Sequence, residues 1–132
     1  MTQYRKVILD ASALIALMNG EAGSTMVEEI IGDSVMSAVN ASEVAKFLID
    51  RRGYRKQEAQ EVIEQLVSSI MDFSSEQAYV AADLYTETKS FGLSMGDRAC
   101  LALSKVTGYP IYTADKIWDK VKIADINIKL IR

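Results

Sequence analysis

The residues Val7, Ile8 and Leu9 make an aliphatic run that stops at Asp10, and the stretch 12–18 behind it carries alanines and leucines suited to a buried helix. This short unit of strand, turn and helix constrains the fold more than any other feature, because it recurs along the chain. Residues 34–38 read as a second strand and 110–113 as a fourth, each leading into helical spacing. Strands separated by helices imply a parallel sheet flanked by helices, so the fold class is α/β.

The intervening segments fill in the pattern. Met26, Val27, Ile30 and Ile31 recur at helical spacing and predict a helix over 23–31. A helix over 40–52 carries Val44, Phe47 and Leu48 on one face and ends at Gly53. Another begins at Arg55 and runs through Val62, Ile63, Leu66, Val67 and Ile70, making a helical hairpin before a third strand at 70–73. Ser75 is expected to cap a helix that turns Ala78, Ala82 and Leu84 or Tyr85 inward and closes at Gly92. A helix over 94–106 ends at Gly108, and a fifth strand spans 126–131. With 132 residues, one proline and seven glycines, the chain has the size of a single domain, 1–132, with no room for a long linker.

Composition decides which chemistry is open. The chain contains no histidine, which excludes the usual Ser-His-Asp and Cys-His triads and histidine-rich zinc sites. The single cysteine, Cys100, excludes an internal disulfide and sits in an apolar run that reads as core. Carboxylate, lysine, tyrosine and water remain for acid–base or metal work. The formal net charge of −3 argues against a generic nucleic-acid coat protein, so any nucleic acid must meet a local basic patch or a metal. No apolar stretch is long enough for a secretory core or a membrane span, and a cytoplasmic location is expected.

Four acids fall at one kind of place. Asp10 follows strand one, and Asp115 follows strand four. Glu43 and Asp97 are expected in the first turns of their helices. In a parallel sheet the carboxyl ends of strands and the amino ends of helices share one edge, where ligands bind. Each acid also has a structural reading. Asp10 and Asp115 suit helix N-caps, while Asn40-Ala-Ser-Glu43 and Ser94-Met-Gly-Asp97 resemble capping boxes. Several carboxylates at one edge repel each other, and a divalent cation relieves that repulsion. Oxygen-only ligands point to Mg²⁺ or Mn²⁺.

Val7-Ile8-Leu9-Asp10-Ala11-Ser12-Ala13-Leu14 resembles the opening of PIN domains, most closely of VapC-type toxins. Asn40-Ala41-Ser42-Glu43-Val44 resembles their second motif, the run from Leu93 through Asp97 to Leu103 the third, and Tyr112-Thr113-Ala114-Asp115 the fourth. The resemblance covers essentially the whole chain in order. It implies a three-layer α/β/α sandwich with a central parallel five-stranded sheet. It also implies a Mg²⁺- or Mn²⁺-dependent endoribonuclease, usually the toxin of a type II toxin–antitoxin pair. Asp10, Glu43, Asp97 and Asp115 carry over as the catalytic acids, with Asp10, Asp97 and Asp115 as metal ligands and Ser12 as a hydroxyl helper. Asp119 stands where family members often have a further acid.

Other features complete the expectations. Arg51, Arg52, Arg55 and Lys56, with Tyr54 among them, form a basic cluster suited either to RNA phosphates or to a solvated helix end. Arg98 reads as a structural or phosphate-facing cation. Tyr79, Leu84, Tyr85, Phe91 and Leu93 suit core, a homodimer face or a groove for a small cognate antitoxin protein. The rivals are weaker. A haloacid-dehalogenase-like phosphatase needs a second aspartate where Ser12 stands, and a phospho-receiver needs paired acids after strand one. A non-toxin PIN nuclease for RNA processing, or a degenerate PIN scaffold, is the alternative within the family.

Overall fold

The computed structural model describes residues 5–132; the first four residues of the expected 1–132 domain lie outside the described residues. The order of elements is β1 (Val7–Leu9), α1 (Ala11–Asn19), α2 (Ser24–Ile30), β2 (Ser34–Ser37), α3 (Ala38–Arg52), α4 (Lys56–Leu66), β3 (Ser69–Met71), α5 (Ser75–Asp83), α6 (Tyr85–Thr88), α7 (Met95–Thr107), β4 (Ile111–Thr113) and β5 (Ile128–Leu130). Short 3-10 turns follow α2, α6 and β4.

The five strands form one sheet in the order β3-β2-β1-β4-β5, with every neighbouring pair parallel. Period-two alternation splits the strand residues between two cores. Leu9 and Met36 join the aliphatic faces of α1 to α4 on one side of the sheet. Ile8, Val35 and Ile111 join Leu84, Leu101, Leu103 and Trp118 on the other. The result is a three-layer α/β/α sandwich in which β1 is buried on both faces, as its unbroken aliphatic run requires.

The connections run from β1 outward through β2 to β3, then return to β4 on the other flank of β1. The carboxyl ends of β1 and β4 therefore border a topological switch point, the place where an open α/β sheet leaves a crevice for ligand.

Local chemistry shifts several expected boundaries. Helix α3 begins at Ala38 rather than Asn40, because the Ser37 hydroxyl accepts the Val39 N–H and caps it. Helix α4 stops at Leu66, short of Ile70, since Ser68 donates its N–H to the Ser34 carbonyl and the chain joins the sheet. The single helix expected before Gly92 breaks after Asp83, where the Thr88 hydroxyl donates to the Leu84 carbonyl and competes with the helical ladder. Its cap is Ser74 rather than Ser75, and its inward residues are Gln77, Ala81 and Leu84, with Ala82 and Tyr85 outward.

Candidate functional site

Asp10 occupies the junction of β1 and α1, at the switch point. It is the N-cap of α1 and is 5% exposed. Its Oδ1 accepts from the Ala13 N–H at 2.9 Å and from the Ser12 hydroxyl at 2.7 Å. Its Oδ2 accepts from the Thr113 hydroxyl at 2.6 Å, across 103 residues of sequence. A carboxylate has about four lone-pair directions, so Oδ2 keeps one uncommitted. Burial raises the Asp10 carboxyl from 3.8 to about 6; the Thr113, Ser12 and Ala13 hydrogen bonds oppose the rise, and the charge of Asp97 adds to it.

Two hydroxyls stitch the ends of β1 and β4 together around this acid. Ser12 Oγ accepts the Ala114 N–H at 3.0 Å, while Thr113 Oγ1 accepts the Asp115 N–H at 3.1 Å. Asp115 is exposed and caps the 3-10 turn Lys116–Lys120, with Oδ1 taking the Ile117 N–H.

The third and fourth acids come from helices. Asp97 lies in the first turn of α7, half-buried, and forms a reciprocal capping box with Ser94: Oδ2 accepts the Ser94 N–H, and Ser94 Oγ accepts the Asp97 N–H. Glu43 lies in the second turn of α3, not the first, because the helix starts earlier than expected. Its Oε1 accepts from Asn40, and its carboxylate rests against Gly96 of α7. Burial, and after it the charges of Asp10, Asp97 and Glu43, pushes the Cys100 thiol well above its ordinary range.

Each acid thus does structural work and still has accepting capacity left. Asp97 Oδ1, Asp115 Oδ2 and Glu43 Oε2 accept no hydrogen bond among the described residues. None of the four forms an ion pair among the described residues, where the pairs are Arg51 with Asp50, Arg55 with Glu58 and Arg132 with Glu21. Among the described residues, no three acids already stand close enough to cage an ion. The donor set nonetheless fits a hard divalent cation: oxygen atoms only, one carboxylate desolvated, and none of them held in an ion pair among the described residues.

A model of the PIN domain family matches residues 7–124. This chain belongs to the PIN-domain family. Two curated relatives, VapC ribonuclease Mb2780c of Mycobacterium bovis and ribonuclease VapC42 of Mycobacterium tuberculosis, are each 26% identical over 114 residues, covering 80% of this chain and 87% of theirs. Among solved structures, the Mycobacterium tuberculosis toxin VapC20, which cleaves the sarcin–ricin loop, superposes with a TM-score of 0.72 at 17% identity, covering 92% of this chain and 99% of that one. The DNA-bound VapBC complex of Salmonella typhimurium gives 0.72 at 13% identity over 97% and 99%. These structural likenesses establish the fold.

Within this PIN domain the other expected site residues separate. Ser12 orients Asp10, since its proton is committed to that carboxylate. Asp119 is exposed and borders a different surface hollow, with Val121, Lys122 and Ile123. Arg52 is engaged structurally, bonding Asn19 and the Met18 carbonyl and lying over the Phe47 ring. Arg55 pairs with Glu58, and Lys56 is exposed beside Gln57 and Gln60. Arg51, whose exposed pair with Asp50 leaves it largely solvated, lies with Asp50, Lys46 and Phe47 in a cleft of about 300 Å³ that Glu43 also borders. Arg98 donates to the Leu93 carbonyl and covers the Tyr85 ring, a structural role. Leu84 and Leu93 are core, whereas Tyr79 and Tyr85 are exposed.

Sequence reasoning missed Asn40, Gly96, Thr113 and Lys46 as functional candidates. Thr113 had a visible signal, a hydroxyl two residues before an acid at a strand end. Lys46 had one too, standing one turn beyond Glu43.

Proposed function

We propose that this PIN domain is an endoribonuclease that needs Mg²⁺ or Mn²⁺, and that it serves as the toxin of a type II pair. The observation that carries the reading is Asp10: a buried carboxylate at the switch point that feels the charge of Asp97 and has no ion-pair partner among the described residues. Burying like charges together is destabilising unless something else relieves them. The family and the ribonuclease names of the curated relatives support the same conclusion.

Asp10, Asp97 and Asp115 would hold the ion, with Glu43 beside them. When bound, such an ion supplies charge stabilisation at the phosphate and activation of water. The chain's own contribution is orientation. Ser12, Thr113 and the Ala13 N–H fix the Asp10 carboxylate, and the capping box fixes Asp97. Glu43, exposed and rooted in α3, would bind the ion or orient the attacking water. Hydrolysis of this kind leaves a 5′-phosphate and a 3′-hydroxyl and does not use the RNA 2′-hydroxyl, so preference for RNA comes from binding. Lys46, Phe47 and Arg51, along the cleft that Glu43 borders, are the groups suited to that binding.

A small cognate antitoxin protein is the proposed partner, supported by the VapBC complexes among the structural relatives, and the chain is proposed to act as a homodimer. Among the described residues no helix is long and apolar enough to cross a membrane.

The decisive experiment is Asp97→Asn. Asparagine preserves the cap, so chelator-treated protein should lose at most about 1 kcal/mol of stability. Cleavage of a mixed RNA pool with Mg²⁺ should fall by orders of magnitude. A variant that keeps near-normal metal-dependent cleavage would leave Asp97 as a helix cap and nothing more.

A further inference from the structure

Asn40 lies in the first turn of α3 and is 1% exposed. Its Nδ2 donates twice: to Glu43 Oε1 at 2.8 Å, and to the Gly96 carbonyl at 3.0 Å, 56 residues away on α7. Both partners only accept, so the chemistry fixes which end of the amide faces them. The other end, Oδ1, is buried with no hydrogen-bond partner among the described residues. An orphaned buried acceptor is costly. Stability alone does not explain this side chain.

Gly96 completes the arrangement. A Cβ built there would meet Glu43 Oε2 at 2.5 Å and Cδ at 2.8 Å. The backbone of Gly96 is not in the left-handed region, so conformation does not demand glycine; the Glu43 carboxylate does. That carboxylate is held from one side by the Asn40 amide and from the other by the open face of Gly96, next to Asp97 in sequence.

We propose that Asn40 is a positioning residue whose buried amide, tied to both α3 and α7, sets the Glu43 carboxylate in the space that Gly96 leaves open. The inference rests on the nuclease reading and adds to it a device for placing its fourth acid. Hydrogen-bonded groups behind acids of this kind tune ion affinity and rate by about 10–100-fold.

Two substitutions approach the carboxylate from opposite sides. Asn40→Leu keeps the branched shape, with a somewhat larger volume, while removing the donor and the orphaned oxygen. Gly96→Ala drives the carboxylate away while improving helix propensity. Melting in chelator, Mn²⁺ titration by calorimetry and cleavage of a mixed-sequence RNA pool with Mg²⁺ are measured on both. Each variant should melt no lower than the parent. In each, kcat should fall about 10–100-fold and Mn²⁺ affinity about 10-fold, with KM changed less than about twofold. The double variant should lose no more than the worse single one, because both act on one carboxylate.

If Asn40→Leu melts lower yet keeps kcat and Mn²⁺ affinity, Asn40 is a strut between helices and the proposal falls. It falls equally if KM alone moves. If Asn40→Leu fails to fold, Gly96→Ala decides the matter: unchanged kcat and Mn²⁺ affinity overturn the proposal. A parent protein that neither cleaves RNA nor binds Mn²⁺ would overturn the nuclease reading itself, whereas an active parent with indifferent variants overturns this inference alone.

Discussion

Asp10→Asn in metal-free protein should stabilise the fold at alkaline pH and do nothing at acidic pH. Burial raises the Asp10 carboxyl from 3.8 to about 6. Below about pH 3.8 the group is protonated in both folded and unfolded chains, and its favourable contribution is fully present. Between 3.8 and 6 the unfolded chain releases the proton first, and stability drains away until the folded pKa is passed. The interval corresponds to about 3 kcal/mol, since each pH unit is worth about 1.4 kcal/mol. In a domain of this size that is on the order of 10 °C in melting temperature. Asparagine cannot ionise, and its carbonyl still caps α1 through the Ala13 N–H, so the variant avoids the loss. The assay is thermal unfolding with chelator across pH 4 to pH 8. The gap in favour of Asp10→Asn should widen as pH rises from about 3.8 and level off above about 6, and saturating Mn²⁺ should close it by stabilising only the parent. A variant that melts lower than the parent by the same margin at both ends of the range would refute the reasoning, because Asp10 would then be a cap whose charge the fold needs.

Three further outcomes are expected. Mn²⁺ at 100 times its dissociation constant should stabilise the parent chain by about 2.7 kcal/mol, read as a melting shift, with no shift in Asp10→Asn; calorimetry showing no Mn²⁺ binding to the parent would count against the site. Lys46→Ala and Arg51→Ala should each weaken RNA binding and lower the slope of log affinity against log salt by about 0.7 for each phosphate left unneutralised, while Arg52→Ala should lower stability and leave that slope alone; equal slopes in all three would remove the α3 cleft from the RNA path. Expression of the chain alone should slow growth, with relief on co-expression of its antitoxin; normal growth with active, soluble nuclease present would favour a housekeeping role.

Much of this was legible in the sequence because the aliphatic run of β1, buried on both faces, stops at Asp10, and β4 stops at Thr113, two residues before Asp115. That alone puts Asp10 and Asp115 at the sheet edge. Asp97 was legible through its capping box. Asn40 was not: an asparagine three residues before an acid resembles a cap, and only the contact with Gly96, far away in sequence, shows another employment. The break between α5 and α6 was hidden for a local reason, a threonine hydroxyl competing for carbonyls. Arg52 shows the opposite failure, since a dense basic run gives no sign of which guanidinium is already spent on its neighbours.

The bond from Thr113 to Asp10 joins segments made at well-separated moments on the ribosome. A nascent polypeptide that has not yet reached β4 has no strand on that flank of β1 and no hydroxyl for Asp10 Oδ2. Parallel pairing over so long a separation is among the slower events in folding, and synthesis adds only about 5–20 residues each second. A nuclease built this way stays unassembled beside the messenger and ribosome that are making it until β4 has emerged.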